Sequence, residues 1–214
     1  MENELITIFD EQRQRIGVGT RAEVHAKGYW HETFHCWFVS VEYGKLYLLF
    51  QRRSAQKKEY PNQLDITAAG HLLATETVAD GVRELEEELG IKLRFQDLTE
   101  IGIIKGMNII RDASSRIIID DREFCHVFLY YLQSPIENLV LQEEEVAGII
   151  KVEIQDFERL IDQECQHIIG YRYEFHVDGE RCWQQEILKR DDFCPHSQSY
   201  YQQVIYAARS IFAQ

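Results

Sequence analysis

The chain of 214 residues has only three prolines, and no Pro- or Gly-rich stretch divides it. Without a linker, the expectation is a single domain over 1–214, with a core of about residues 30–160. No stretch approaches the roughly 18 apolar residues that span a bilayer. The opening MENELITIFDEQ lacks the basic flank and apolar run of a secretory signal. Five cysteines (Cys36, Cys125, Cys165, Cys182 and Cys194) are odd in number, widely spaced and form no CxxC pair. That pattern argues against a disulfide framework or a Cys-rich zinc site and fits reduced thiols in a cytoplasmic protein. Basic charge is scarce as well: 23 Lys and Arg stand against 36 Asp and Glu, a formal net charge of −13. Nucleic-acid coats and membrane-surface proteins set cations against phosphates, so neither partner is expected.

What is present suffices for a core, with 45% apolar residues. Residues 4–9 and 14–18 read as short strands. Aromatic and β-branched segments 33–41 and 45–51, joined at Glu42-Tyr43-Gly44, read as a hairpin. Further strands are expected at 64–67, 100–106, 116–120, 123–132 and 146–153. Helices are expected at 78–89, from Asp156 to Ile161, and at 197–212, where Tyr201, Ile205, Ala208 and Phe212 share a face. The predicted class is α+β, a mixed β-sheet between helices with a C-terminal helical extension.

The chemistry concentrates in Gly70–Ile91, GHLLATETVADGVRELEEELGI. Thr77 and Asp80 form a capping-box pair and Gly90 supplies a left-handed stop. At 100° per residue, Val78, Val82, Leu85 and Leu89 form an apolar stripe. Glu84, Glu87 and Glu88 fall beside it, with Arg83 at their edge. Like charges at this spacing cost about 0.2–0.5 kcal/mol each, and hard divalent cations reverse that sign. A solvated acidic helix explains a bare Glu-Glu-Glu run. It does not explain the run together with Arg83, Gly90 and a glycine-bounded loop holding Glu76.

This segment resembles the Nudix hydrolase signature: Gly, five residues, Glu, seven residues, then Arg-Glu-apolar-x-Glu-Glu-x-Gly-apolar. Gly70 to Glu76 and Arg83 to Ile91 match; between Glu76 and Arg83 stand six residues instead of seven. The resemblance implies a Nudix fold, Mg²⁺ or Mn²⁺ held by Glu84, Glu87, Glu88 and the carbonyl of Gly70, and carboxylates oriented by Arg83. Glu76 braces the loop. It also implies a further acid from a later loop; the candidate run is Glu143–Glu145, centred on Glu144. Many members are homodimers, which extends that expectation to this chain.

The flanks are similar to type I isopentenyl-diphosphate isomerases, which share the fold. On that resemblance His25, His31, His71, Asp121 and Glu123 form a second site for a transition metal, and Arg21, Arg53 and Lys57 bind diphosphate. Two positions depart from the isomerases. Ala69 stands where they carry an essential Cys, and no tyrosine lies in 99–116, where they place a proton relay. The helical acid cluster that isomerases degrade is intact here. His35, His126, His167, His176 and His196 receive no role, and Tyr171, Tyr173, Phe175 and Trp183 are candidates to stack a base. The expected function is metal-dependent hydrolysis of the diphosphate of a nucleoside diphosphate derivative or related organic pyrophosphate. The alternatives are an isomerase-like or isoprenoid-diphosphate enzyme, or a non-catalytic nucleotide-binding regulator.

Overall fold

The computed structural model describes residues 3–112, 114–175 and 181–212. In chain order the elements are β1 (Leu5–Phe9), β2 (Arg15–Thr20), α1 (Arg21–Lys27), β3 (Trp30–Glu42), β4 (Lys45–Arg53), β5 (Leu64–Asp65) and β6 (Ala68–His71). A 3-10 turn, Val78–Val82, then runs into α2 (Arg83–Leu89). There follow β7 (Thr99–Arg111), β8 (Ile117–Tyr131), β9 (Val146–Glu153), α3 (Ile154–Ile161), β10 (Ile168–Phe175), β11 (Arg181–Leu188) and α4 (Gln198–Phe212).

Strand β3 organises the mixed sheet. One edge pairs in parallel with β8 from Trp30↔Arg122 to Val39↔Tyr131. The other edge is shared by β6, antiparallel over Thr33–Cys36, and β4, antiparallel over Phe38–Glu42. Side chains alternate along a strand, so β3 serves two cores. Trp37 and Val39 pack with Phe50, Phe157, Tyr201 and Val204 under α3 and α4. Phe34, Cys36 and Phe38 pack with Leu85, Leu89 and Phe128 under α2. The sheet therefore lies between α2 on one face and α3 with α4 on the other, as the sequence predicts. No helix among the described residues is long and apolar enough to cross a membrane.

Several elements differ from the sequence reading. The strands expected at 116–120 and 123–132 are one strand, β8, and β6 lies outside the expected strands. The segment 78–89 is not a continuous α-helix, because its first five residues wind as a 3-10 turn. Gly81 lies there against Phe34; a Cβ at that position would stand 2.5 Å from the ring. Helix α1 was not foreseen, since seven residues hold too little periodicity to read. Thr20 Oγ1 accepts from the Glu23 N–H at its start, and Gly28, at φ 63°, ends it. The C-terminal extension also contains the antiparallel β10–β11 hairpin, paired from Ile168↔Leu188 to Phe175↔Arg181, ahead of the expected helix. That helix buries Tyr200, Tyr201, Val204, Ile205 and Ala208. At about 1.5–3 kcal/mol for a fully buried large apolar side chain, it is part of the core and not an appendage.

Candidate active site

The carboxylates of α2 face one side of a cavity of about 440 Å³. Arg83 organises them. Its Nε and Nη2 donate to Glu76 at 2.6 and 3.1 Å, and Nη2 also donates to the His71 carbonyl at 3.0 Å. Its Nη1 donates to Glu84 at 2.5 Å and Glu87 at 3.1 Å. Glu76 in turn accepts from the Leu73 N–H at 2.8 Å. The loop one residue shorter than the family pattern still delivers Glu76 to Arg83, and the 3-10 turn accounts for it. Five residues at about 2.0 Å rise span about 10 Å, close to the about 9 Å that six α-helical residues span.

Glu88 is buried, and its Oε2 accepts from the Ala69 N–H at 3.3 Å and Gln51 Nε2 at 3.5 Å. Burial, reinforced by Glu84, pushes its pKa up to about 8. Burial also pushes Glu84 up to about 7, against the pull of Arg83. Glu87 is exposed at the cavity rim. Gly70 lies so close to Glu84 that a Cβ would stand 1.9 Å from Oε1, so a larger residue there would displace the Glu84 carboxylate.

Across β3 and β8 the histidines and acids of the second predicted site also meet. Odd-numbered residues of both strands share a face: His31 registers with Glu123 and Thr33 with Cys125. Helix α1 brings His25, and β6 brings His71. His25 Nε2 stands 3.1 Å from His71 Nε2 and 3.6 Å from Asp121 Oδ1. His31 Nε2 stands 3.4 Å from Asp121 and 3.9 Å from Glu123. Burial holds His25 down to about 4 and His31 down to about 3, with the charge of Arg21 adding to both. Desolvation likewise keeps His71 well below the ordinary histidine range. Burial raises Asp121 well above the carboxylate range and Glu123 to about 7.

The basic residues divide. Arg21, Arg53 and Lys57 all line the cavity. Arg53, however, donates to Asp65 at 2.8 Å and to the Glu59 carbonyl at 3.1 Å, and Lys57 is ion-paired with Glu145. Arg21 has no carboxylate partner among the described residues. The Glu143–Glu145 run is corrected at one position: Glu144 is exposed and does not line the cavity, whereas Glu145 does. Val146 begins β9 on Arg53 and the Ser54 N–H donates to the Glu145 carbonyl, which turns Glu145 inward. Tyr171, Tyr173 and Trp183 lie on the β10–β11 hairpin away from the cavity; Lys151 Nζ sits 3.9 Å over the Trp183 ring. The side chains of Phe175 and Cys182, and all of His176, lie outside the described residues. Sequence reasoning missed Tyr60, Asp65, His35, His196 and Tyr200, which line the cavity. No local motif marks them, because the fold brings them together from distant segments.

The NUDIX domain matches residues 6–169. The chain belongs to the Nudix family. It is 42% identical over 212 residues to an uncharacterised Nudix hydrolase of Clostridium acetobutylicum, covering 97% of this chain and 98% of that one. It is 32% identical over 153 residues to an isopentenyl-diphosphate Delta-isomerase of Corynebacterium diphtheriae, covering 70% and 79%. Among solved structures, DR0079 of Deinococcus radiodurans shares the fold, with a TM-score of 0.51 at 15% identity over 75% of this chain and 90% of that one. This Nudix protein is a pyrophosphohydrolase, in a family whose hydrolases act on small-molecule diphosphates and generally use divalent metal ions.

Its residues fit such ions. His31 Nδ1 lies 3.1 Å from the Tyr29 carbonyl. A carbonyl only accepts, so Nδ1 carries the hydrogen and Nε2 presents a lone pair. That lone pair faces Asp121 Oδ1 at 3.4 Å, and both atoms are buried without a hydrogen-bond partner among the described residues. A cation between the two, in place of the proton that burial favours on Asp121, satisfies both. His25, His31 and His71 offer nitrogen donors within 4.8 Å of one another, as do the donor atoms of His31, Asp121 and Glu123. Imidazole nitrogen with carboxylate oxygen suits a transition metal, whereas the all-oxygen group of α2 suits Mg²⁺ or Mn²⁺.

Proposed function

We propose that this Nudix enzyme is a Mg²⁺- or Mn²⁺-dependent hydrolase of the diphosphate linkage in a nucleoside diphosphate derivative or related organic pyrophosphate. One observation supports the reading above the others. The carboxylates of α2 are gathered, braced by Arg83 and crowded by burial, in the same cavity as Arg21 and Lys57.

Glu84, Glu87 and Glu88 would hold the hard cation, with the Gly70 carbonyl beside Glu84. In such a site a divalent cation neutralises phosphoryl oxygens and acidifies water. Arg83 fixes Glu76, Glu84 and Glu87 in their rotamers through four hydrogen bonds, so little reorganisation is left for the reaction. Arg21 offers its guanidinium fork to phosphate oxygens, and Lys57 adds charge once its pairing with Glu145 relaxes. Release from Lys57 leaves Glu145, rather than Glu144, as the later-loop carboxylate placed to take a proton from water.

A second reading is favoured by the histidine cluster: an isoprenoid-diphosphate enzyme using a transition metal at His25, His31, His71, Asp121 and Glu123. One experiment separates the two. The protein, supplied with Mg²⁺, Mn²⁺ or Zn²⁺, is incubated with nucleoside diphosphate sugars, dinucleotides, nucleoside triphosphates and isopentenyl diphosphate. Monophosphate release from a nucleotide substrate is the expected result. Isomerised product from isopentenyl diphosphate supports the second reading, and no turnover anywhere defeats both.

A further inference from the structure

One wall of the cavity is built by Cys194, Pro195, His196, Ser197 and Tyr200, in the stretch that leads into α4. The stretch is tied down at several points. Cys194 N–H donates to the Leu64 carbonyl at 2.8 Å, Tyr201 donates to the Cys194 carbonyl at 2.8 Å, and Arg190 donates to the His196 carbonyl at 3.0 Å. His196 is held more closely still. Its ring stacks on Tyr200 at 4.8 Å and meets Tyr201 edge-on at 5.5 Å, and its Nε2 lies 2.8 Å from Asp65 Oδ1.

Asp65 is buried, and its two oxygens also accept from Arg53 Nη1 at 2.8 Å and the Ile66 N–H at 2.9 Å. Burial alone would raise its pKa, but the bonds from His196 and the charge of Arg53 hold it well below the carboxylate range. An ionised carboxylate only accepts. His196 therefore carries a hydrogen on Nε2, and whenever the ring is neutral Nδ1 is an acceptor. The ring's contacts are with Asp65, His35, Tyr200 and Tyr201. None of these belongs to the carboxylates of α2 or to the His25–His31–His71 cluster.

An aromatic clamp on two sides and a saturated carboxylate on a third are more than a surface histidine requires. Resting on the diphosphate reading of this cavity, we propose that His196 is a substrate-binding residue. Its Nδ1 accepts a hydrogen bond from a hydroxyl or amino group on the substituent attached to the diphosphate, and Asp65 is its positioning residue. Phosphate oxygens offer no hydrogen to Nδ1, so the contact reads the substituent. A hydrocarbon chain leaves Nδ1 unsatisfied, and sites built to bond a substrate donor reject analogues that lack it.

Calorimetric titration of the full chain in Mg²⁺ tests this without turnover. The probes are a nucleoside diphosphate sugar with a methylene bridge, methylenediphosphonate alone, and isopentenyl diphosphate. The wild type is expected to bind the sugar probe most tightly. His196→Trp keeps an N–H donor for Asp65 and loses the acceptor; His196→Phe loses both. Each is expected to weaken the sugar probe by about tenfold, one good hydrogen bond, and methylenediphosphonate by less than about twofold. Asp65→Asn is expected to abolish the Nε2–H tautomer in long-range ¹H–¹⁵N spectra; an unchanged tautomer removes Asp65 from the proposal. The role of His196 is overturned by a Trp or Phe variant that binds the sugar probe like wild type, by equal weakening of both probes, or by tighter wild-type binding of isopentenyl diphosphate or methylenediphosphonate. Failure of the hydrolase reading shows separately, as absent turnover of every diphosphate by wild-type protein.

Discussion

Two groups of metal-seeking residues meet at one cavity, the second through His71, Asp121 and Glu123, and they are built on opposite principles. The α2 group comes from one segment of sequence, Glu76–Glu88, and is held by one arginine. The histidine group is assembled from α1, β3, β6 and β8 and is held by strand register and burial. Burial raises the carboxyl pKa of Glu84 and Glu88 in the first and of Asp121 and Glu123 in the second, so a bound cation displaces protons from both. The second also holds buried histidines, which desolvation keeps neutral. A local motif can therefore survive drift around it, whereas the dispersed site depends on four elements keeping their registers.

The largest expected effect separates the chemistry of the two groups. Glu87→Gln together with Glu88→Gln should lower turnover of the best panel substrate by at least about 10³-fold, whereas His25→Ala with His71→Ala should leave it within about tenfold. Steady-state product release decides, and the reverse ranking transfers the chemistry to the histidine group. Glu145→Gln follows, with an expected fall in kcat of about 100-fold at unchanged metal affinity, as removal of a proton acceptor gives. Metal affinity falling in step would make Glu145 a ligand instead.

Arg83→Ala tests the single brace. Activity should fall about 10–100-fold and stability by about 1–3 kcal/mol for the bonds to charged partners, read by denaturant titration. Loss of stability without loss of activity would deny Arg83 its orienting part.

Acid and base limbs of stability should next distinguish the two groups in chelator-treated protein. Glu84 and Glu88 titrate near 7 and 8 when folded and near 4.5 when unfolded, so the folded state binds more protons between those values. Stability from this group falls as pH rises through that window. His25 and His31 titrate near 4 and 3 when folded and near 6.5 when unfolded, so the unfolded state binds more protons there. Stability from these two histidines falls as pH drops through their window, while Asp121 and Glu123 of the same group, raised by burial, add to the basic limb. Added Mg²⁺ should flatten the part of the basic limb that comes from Glu84 and Glu88 and leave the acid limb; urea midpoints between pH 4 and 9 measure both. The smallest effect belongs to Glu144→Gln, expected within about twofold in activity and about 0.5 kcal/mol in stability, as for an exposed surface residue.

The same contrast explains what was legible in the sequence. The α2 carboxylates, Arg83 and Glu76 were readable because their geometry follows from helical spacing. The mixed sheet was readable from alternating strands and a single capped helix, and the histidine group only through a family resemblance. Register decided the rest. Glu145 turns inward and Glu144 outward by one residue, a distinction that three identical neighbours conceal. Arg53 was read as a phosphate clamp because its Asp65 partner is twelve residues away and marked by no motif. His196 and Tyr200 could not be placed before α4 was known to pack against Trp37.

The hydrogen bond between His35 and Tyr200 also bears on how the chain folds. It joins residues 165 positions apart. The hairpin of β3 and β4 can close early from neighbouring residues, but this cavity wall needs one of the longest loops the chain can make. Such distant closures are slow, since their entropy is lost before any contact repays it. That wall is therefore absent until residues 194–200 have been synthesised and docked, and a partly made chain has its cavity open on that side.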